Sequence, residues 1–402
     1  MGYEKLDEQK AIEYVKKLNL FPEGAKLSAK EVGDGNLNLV FKIKDEDSGK
    51  SVVIKQALPY VRVVGEGWPM TLDRARIEAE ALNIQNKLAP GLVPKLYHMD
   101  PEMALMVMED LSHLEVMRRG MIRMKKYPKF PDHISTFMAN TLFYTSDFYL
   151  DSAEKKDLVR KFINPELCKI TEDLIFTEPY YDAERNNVNP ELRPYLENVF
   201  WKRKALWNEA TKLKFKFMTE AQSLVHGDLH TGSIFAGPEE TKVFDTEFSY
   251  VGPAAFDPGL LLGNILINYV SWDGKKDKYT REQIVDYREY ILDMINDTFT
   301  QFEEKFTANW EKDAREISAK VPGYMDYYLR TFFVDMVGYA ATVMIRRIHG
   351  LAHNIDVDEI EDLKVRRDVQ IEVLELAEEL MFNRAHFDNI KDLTRFVKKE
   401  LF

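Results

Sequence analysis

Residues 224–248, LVHGDLHTGSIFAGPEETKVFDTEF, restrict the possible folds of this chain more than any other stretch. Two short apolar runs, 223–225 and 242–244, each lead into a turn that presents carboxylates: Asp228 after the first, Asp245 and Glu247 after the second. Asp245 follows Asp228 by 17 residues, room for a small loop and a return strand. The spacing predicts carboxylates at the tips of adjacent strands. Acids gathered that way suit a metal–phosphate assembly, one orienting and deprotonating a hydroxyl while the others hold Mg²⁺ on ATP.

The flanking sequence has two characters. In 7–18, Ala11, Ile12, Val15 and Leu18 share a helical face. Runs 27–32, 39–43 and 52–58 are short, rich in β-branched residues and split by glycine or charged turns, the pattern of strands. Thr71 can cap a helix running to about residue 88, with Ile77, Ala81, Ile84 and Leu88 as its buried stripe, and Pro90 with Gly91 ends it. Two more strands are predicted at 95–99 and 104–109. Beyond Leu111, helical periodicity dominates, as at 134–147, 195–220, 283–306, 326–348 and 362–381. The fold class predicted is α+β with two lobes. Residues 1–110 form a nucleotide-binding lobe, a small five-stranded antiparallel sheet with one inserted helix. Residues 111–402 form a large, mostly helical catalytic and substrate-binding lobe. At 402 residues the chain exceeds one ordinary core, and a cleft between lobes is the expected ligand site.

A net charge of −12 argues against sequence-independent nucleic-acid binding, which needs clustered cations. An anion must therefore be held by a local positive site or a metal. The single cysteine, Cys168, cannot close an internal disulfide. The start, MGYEKLDEQK, has no apolar core of a signal peptide, and no stretch approaches 18 uninterrupted apolar residues. No membrane association is expected, and a cytoplasmic location is the default.

Smaller motifs surround the carboxylates. Gly33-Asp34-Gly35-Asn36-Leu37-Asn38-Leu39-Val40 lies between the first two predicted strands. Gly33 and Gly35 would let backbone N–H groups approach phosphates with no Cβ in the way. Asn38 stands where a third glycine would be, and asparagine tolerates a left-handed backbone better than most residues. The alternative is a plain hairpin with Gly-Asp-Gly turn chemistry. Lys55 ends the VVIK run and suits a cation over the α- and β-phosphates, or else is a surface lysine on an edge strand. Its partner would be a glutamate on the following helix, where Glu78 and Glu80 both lie. The backbone from Glu109 to Leu111 can read the edge of adenine, or simply link the lobes. His226 and His230 lack partners at zinc spacing and read as structural parts of their loop. Residues 344–349, MIRRIH, place Arg346 and Arg347 together, either reaching the cleft to stabilise transferring charge and hold substrate hydroxyls or lying on a solvated helix face. His349 and His353 are four apart, but the glutamate of a zinc helix is missing and a glycine intervenes. Residues 60–73, YVRVVGEGWPMTLD, resemble a lid with Trp68 covering a small ligand, or a packed surface loop. Residues 256–259, FDPG, are expected to brace the Asp228 loop from below.

In order and spacing, GDGNLNLV, VVIK, EDL, HGDLH and DTE resemble the protein-kinase-like fold in its aminoglycoside and choline kinase branch. The segments VRVVGEGWPMTLDRARIE, VMEDLSHLEVMR, HGDLHTGSIF, FDTEFSYVGPAAFDPG and MIRRIHGLAH are closer still to the 5-methylthioribose kinase family. DTE in place of Asp-Phe-Gly, and Ser233 where kinases carry a metal-binding Asn, are departures that this family shares. The resemblance implies an α+β kinase that phosphorylates the 1-hydroxyl of 5-methylthio-D-ribose with ATP, a step of methionine salvage, and a homodimer. It implies Asp228 as catalytic acid–base, Asp245 and Glu247 as Mg²⁺ ligands and Lys55 on phosphate. Arg346 and Arg347 would approach the sugar and the transferred group. Glu78 is favoured over Glu80 because E-A-x-A-L is the form this helix takes in small-molecule kinases. The alternatives are a kinase of another hydroxylated substrate, of aminoglycoside, choline or homoserine type, and a nucleotide-binding pseudokinase.

Overall fold

Alternate burial along residues 38–45 gives the N-terminal part its sheet. Leu39, Phe41 and Ile43 turn inward while Val40, Lys42 and Lys44 face the other way. The computed structural model describes residues 2–400 except 33–36, 63, 64 and 66. Gly33 and Gly35, expected to cradle phosphates, lie outside the described residues. Helix α1 (Glu8–Lys17) begins at Asp7, whose carboxylate accepts the Lys10 N–H. Strands β1 (Leu27–Glu31), β2 (Asn38–Asp45) and β3 (Ser51–Ala57) follow. Then come α2 (Arg74–Leu88), β4 (Leu96–Asp100) and β5 (Leu105–Glu109). The strands form one antiparallel sheet in the order β1-β2-β3-β5-β4. Its inward side chains, with Leu6, Ala11 and Val15, make a core separate from that of the helices.

Helix α2 starts three residues after the expected cap. Thr71 does not cap it; the Thr71 hydroxyl accepts the Asp73 N–H while its carbonyl accepts from Arg74. Ile77 and Ala81 are buried as the periodicity requires, and Ile84 and Leu88 only half-buried.

The remainder is helical around short strands: β6 (Glu115–Val116), α3 (Met117–Met121), α4 (Phe130–Tyr144), α5 (Ser152–Lys161), α6 (Pro165–Leu174), α7 (Arg193–Asn198) and α8 (Lys204–Thr219). After these come β7 (Ser223–Val225), β8 (Ile234–Ala236), β9 (Thr241–Val243) and β10 (Tyr250–Gly252). The chain finishes with α9 (Phe256–Ser271), α10 (Arg281–Asp313), α11 (Tyr324–His349), α12 (Ile355–Asp358), α13 (Leu363–Asn383) and α14 (Ile390–Glu400). The helix expected over 195–220 is broken at Val199, because Phe200 and Trp201 turn inward and the Trp201 indole donates to the Pro179 carbonyl. Strands β7 and β9 are not neighbours, against expectation: β7 pairs with β10, while β9 joins β8 and β6 in another sheet.

Helix α9 is buried along its whole length and packs along α11. Two glycines permit this approach. A Cβ on Gly259 would stand 2.7 Å from the Met336 carbonyl, and one on Gly263 2.6 Å from that of Ala340. The start of α9 carries Asp257 and the end of α11 carries Arg346 and Arg347, so this contact fixes how far apart those groups stand.

Candidate active site

The loop after β7 is wound around its own backbone. His226 and Gly227 donate their N–H groups to the Asp257 carboxylate at 2.5 and 2.9 Å, the brace expected of FDPG. Gly227 has φ of +83°, and a Cβ there would lie 2.2 Å from the Phe248 carbonyl, so only glycine fits. The His226 Nε2–H donates to the Phe244 carbonyl at 2.9 Å and its Nδ1 accepts the Asp228 N–H at 3.2 Å. One imidazole thus ties the Asp228 turn to the strand end that carries Asp245, although β7 and β9 belong to different sheets. Ser233, which stands where kinases carry a metal-binding Asn, donates its hydroxyl to the Asp228 carbonyl at 3.0 Å and serves the loop.

Asp228 faces an imidazole and two guanidiniums. His230 Nε2 stands 3.3 Å from one carboxylate oxygen and an Arg347 nitrogen 3.7 Å from the other. Burial would raise the Asp228 pKa, but His230, Arg347 and Arg346 outweigh it and hold the carboxyl well below the usual range. His230 accepts the Gly232 N–H on Nδ1, so its proton sits on Nε2, facing Asp228. Burial, joined by Arg118 and Arg347, lowers its pKa to about 4 against the pull of Asp228. His230 is therefore a neutral donor aimed at the carboxylate, more than the structural residue expected. Arg346 and Arg347 lie beside each other at the end of α11, and the Nε atoms of both are buried without a hydrogen-bond partner. Adjacent guanidiniums with unused, buried Nε donors suit an anion.

Arg118 joins this group without having been expected. Its Nε donates to the Thr231 hydroxyl at 3.1 Å and Nη2 to Asn264 at 2.9 Å, and its backbone N–H donates to the Thr231 carbonyl. A Cβ on Gly232 would meet the Arg118 Cζ at 3.1 Å, so the guanidinium rests on the loop itself. The only signal was its place in VMEDLSHLEVMR, which gives a lone arginine no visible role.

Across the cleft, Lys55 pairs with Glu78 at 2.8 Å and also with Asp245. Glu80 instead faces Arg76 and Lys161, so the two glutamates are separated by geometry where spacing left them open. Burial would discharge Lys55, yet Asp245, Glu78 and Glu247 raise its pKa. Burial pushes the Glu78 carboxyl up, to about 8, against the attraction of Lys55. Asp245 has φ of +70°, a left-handed backbone that an aspartate adopts at a cost, and its side chain keeps 40% of its surface open.

Two expectations need correction. Glu247 does not stand beside Asp245 with a free carboxylate. It is 4% exposed, with one oxygen accepting from Arg74 Nε at 2.9 Å and the other from Asn38 Nδ2 at 3.0 Å. Of the two expected metal ligands, only Asp245 presents an open carboxylate. Asn38 is not a left-handed stand-in for glycine at the phosphates: it is the first residue of β2, paired with Ala57, and its amide is spent on Glu247 and Arg74. Trp68 packs with Val61, Met70 and Leu167 under the Arg185 guanidinium, beside a cavity of about 290 Å³ that reaches α6. Val40 pairs with Lys55 across β2 and β3. The Glu109 carboxylate accepts the Lys95 N–H, Leu111 is buried, and neither meets the carboxylate cluster through its side chain. His349 and His353 turn to different partners: the His349 Nε2–H donates to the Pro179 carbonyl at 2.7 Å, and His353 faces Asp358.

Among the described residues, no group of three or more His, Cys, Asp or Glu side chains converges to hold a metal alone. A hard cation here would take one carboxylate and complete its shell with phosphate and water, as Mg²⁺ does on nucleotides. The open Asp245 beside Lys55 fits that arrangement. No helix of the described residues is long and apolar enough to cross a membrane.

The Phosphotransferase enzyme family matches residues 28–291. Methylthioribose kinase of Geobacillus thermodenitrificans is 46% identical over 400 residues, 99% of this chain and 98% of the relative. That of Geobacillus kaustophilus is 46% identical over 393 residues, 98% and 96% of the two chains. That of Bacillus velezensis is 43% identical over 391 residues, 97% and 95%.

Proposed function

The chain belongs to the phosphotransferase enzyme family and, within it, to the methylthioribose kinases, and from that membership we propose how its cleft divides the work of phosphoryl transfer. The protein is a kinase that phosphorylates methylthioribose at the expense of ATP. The 1-hydroxyl is the acceptor in this reading. An anomeric hydroxyl is more acidic than an ordinary alcohol, so a carboxylate suffices to assist it.

Asp228 accepts the hydrogen bond of that hydroxyl and aligns it with the γ-phosphorus. The cations around Asp228 keep it ionised, which favours orientation over early proton capture. Its proton affinity rises only as the transferring group draws the positive field of Arg346 and Arg347 to itself. Those arginines take the equatorial oxygens of the phosphoryl group, and their unused Nε donors support that role. Lys55, held by Glu78, contacts the α- and β-phosphates. Asp245 would hold Mg²⁺, which would supply positive charge to offset that of the phosphates. The backbone of Glu109 to Leu111 reads adenine, with Gly33, Gly35 and Val40 belonging to the phosphate-loop motif. Trp68 lines the sugar's side of the cleft.

We place the division between nucleotide-binding and catalytic parts at residues 110 and 111, supported by β5 ending at Glu109 and by the sheet's separate core. A homodimer and a cytoplasmic location belong to the same reading. Exposed Ile317, Val321, Tyr324 and Tyr327 offer apolar surface for association.

The observation that carries the substrate class is the pair of arginines beside Asp228 whose Nε atoms are buried and unbonded. They suit an uncharged sugar and a phosphoryl group and would repel choline or an aminoglycoside. ADP release measured across methylthioribose, choline, homoserine and kanamycin tests this. Turnover on methylthioribose alone is expected; turnover on another substrate without it would end the reading.

A further inference from the structure

Arg74, on the first turn of α2, is wholly buried, and all five of its guanidinium N–H groups are in use. Nε donates to Glu247 at 2.9 Å. Nη1 donates to the carbonyls of Leu58 and Thr71 at 2.7 and 2.8 Å. Nη2 donates to the Leu37 carbonyl at 2.9 Å and the Asn38 side-chain oxygen at 3.1 Å. The Asn38 amide returns to the second oxygen of Glu247, closing a triangle of Arg74, Asn38 and Glu247. These acceptors belong to three separate places: the start of β2, both ends of the 58–71 segment, and the turn that carries Asp245. A lysine, with three donors on one point, could not span them.

Two further contacts extend the knot. Asn164, at the start of α6, donates to the Glu247 carbonyl at 2.8 Å, and Glu166 accepts the Thr71 N–H. Glu78 lies one turn along α2 from Arg74, on the same face. The helix thus grips Lys55 with one residue and Glu247 with the other.

Resting on the reading of the cleft given above, we propose that Arg74 is a positioning residue that makes nucleotide binding and sugar binding interdependent. Order imposed on the start of β2 and on the Asp245 turn by a nucleotide passes through one rigid, planar group to the 58–71 segment beside Trp68. The second carboxylate of the Asp-Thr-Glu motif serves as that group's counterion. A buried guanidinium whose every donor has an acceptor cannot shift toward one of these places without losing a bond at another.

The test uses the full chain with Mg²⁺ and a non-hydrolysable ATP analogue. Hydrogen exchange is followed at residues 67–72, and methylthioribose affinity is measured by calorimetry with and without the analogue. In the wild type the analogue is expected to slow that exchange and tighten sugar binding, each by about 5-fold or more. Arg74→Gln, folded by circular dichroism, is expected to bind the analogue and lose both responses. Should Arg74→Gln fail to fold, Asn38→Ala removes one corner of the triangle and is expected to at least halve both. Responses unchanged in the variants, or an exchange response absent from the wild type, overturn the proposal, as does exchange that rises equally with and without the analogue. A wild type that shows the exchange response but leaves methylthioribose unphosphorylated would sink the substrate reading and not the role of Arg74.

Discussion

Asp228 is more acidic than a free aspartate, which bears on what it can do. A strongly ionised carboxylate is a weak base but a good hydrogen-bond acceptor, so alignment is its first contribution. Asp228→Ala is expected to lower kcat by about 10³-fold or more while calorimetry shows ATP-analogue binding nearly unchanged. An active variant would remove Asp228 from the mechanism. Residues of this kind were legible in the sequence because turn motifs announce them: Asp228, Lys55 and Asp245 needed only order and spacing. Glu247 and Asn38 were misplaced for a physical reason. Their chemistry was read correctly as an acid and an amide, but nothing in the sequence revealed that a buried arginine 173 residues away from Glu247 would claim both. Arg118 and Arg74 stayed hidden for the same cause, since a guanidinium's role is set by acceptors distant in the chain.

At the scale of elements, the turn around Asp228 depends on a helix that makes no contact with substrate in this scheme. Asp257, at the start of α9, satisfies two buried N–H groups of that turn. Asp257→Ala leaves both unpaired, and denaturant titration is expected to show a loss on the order of 3 kcal/mol together with lower kcat. Full stability in that variant would mean another group braces the loop. The antiparallel sheet was legible from alternation and β-branched runs. Long amphipathic helices such as α10, α11 and α13 were legible from their period. Helix α9 shows no such period, since every residue from 256 to 271 is buried and no polar stripe exists to be counted. The pairing of β7 with β10 instead of β9 was equally out of reach, because strands of three residues carry too little pattern to fix a neighbour.

Across the whole molecule, buried histidines tie stability to acidity. His349 is fully buried and neutral, with its pKa lowered by burial to about 4 from 6.5. Below pH 6.5 the unfolded chain takes up a proton there that the folded chain refuses, so stability falls as pH drops from about 6.5 to about 4 and this loss is complete below that. The shift corresponds to about 3 kcal/mol. Thermal melts of wild type and His349→Gln across this range are expected to converge in acid by that amount; parallel curves would assign the acid sensitivity elsewhere. The close crossing of α9 and α11 has a consequence of its own. Two helices touch through bare backbone at Gly259 and Gly263, and the same helices hold the brace of Asp228 and the twin arginines. A single methyl group, as in Gly263→Ala, acts as a wedge driven between beams. It is expected to slow turnover about 10²-fold by sub-ångström misalignment, in a protein whose every reactive group is intact.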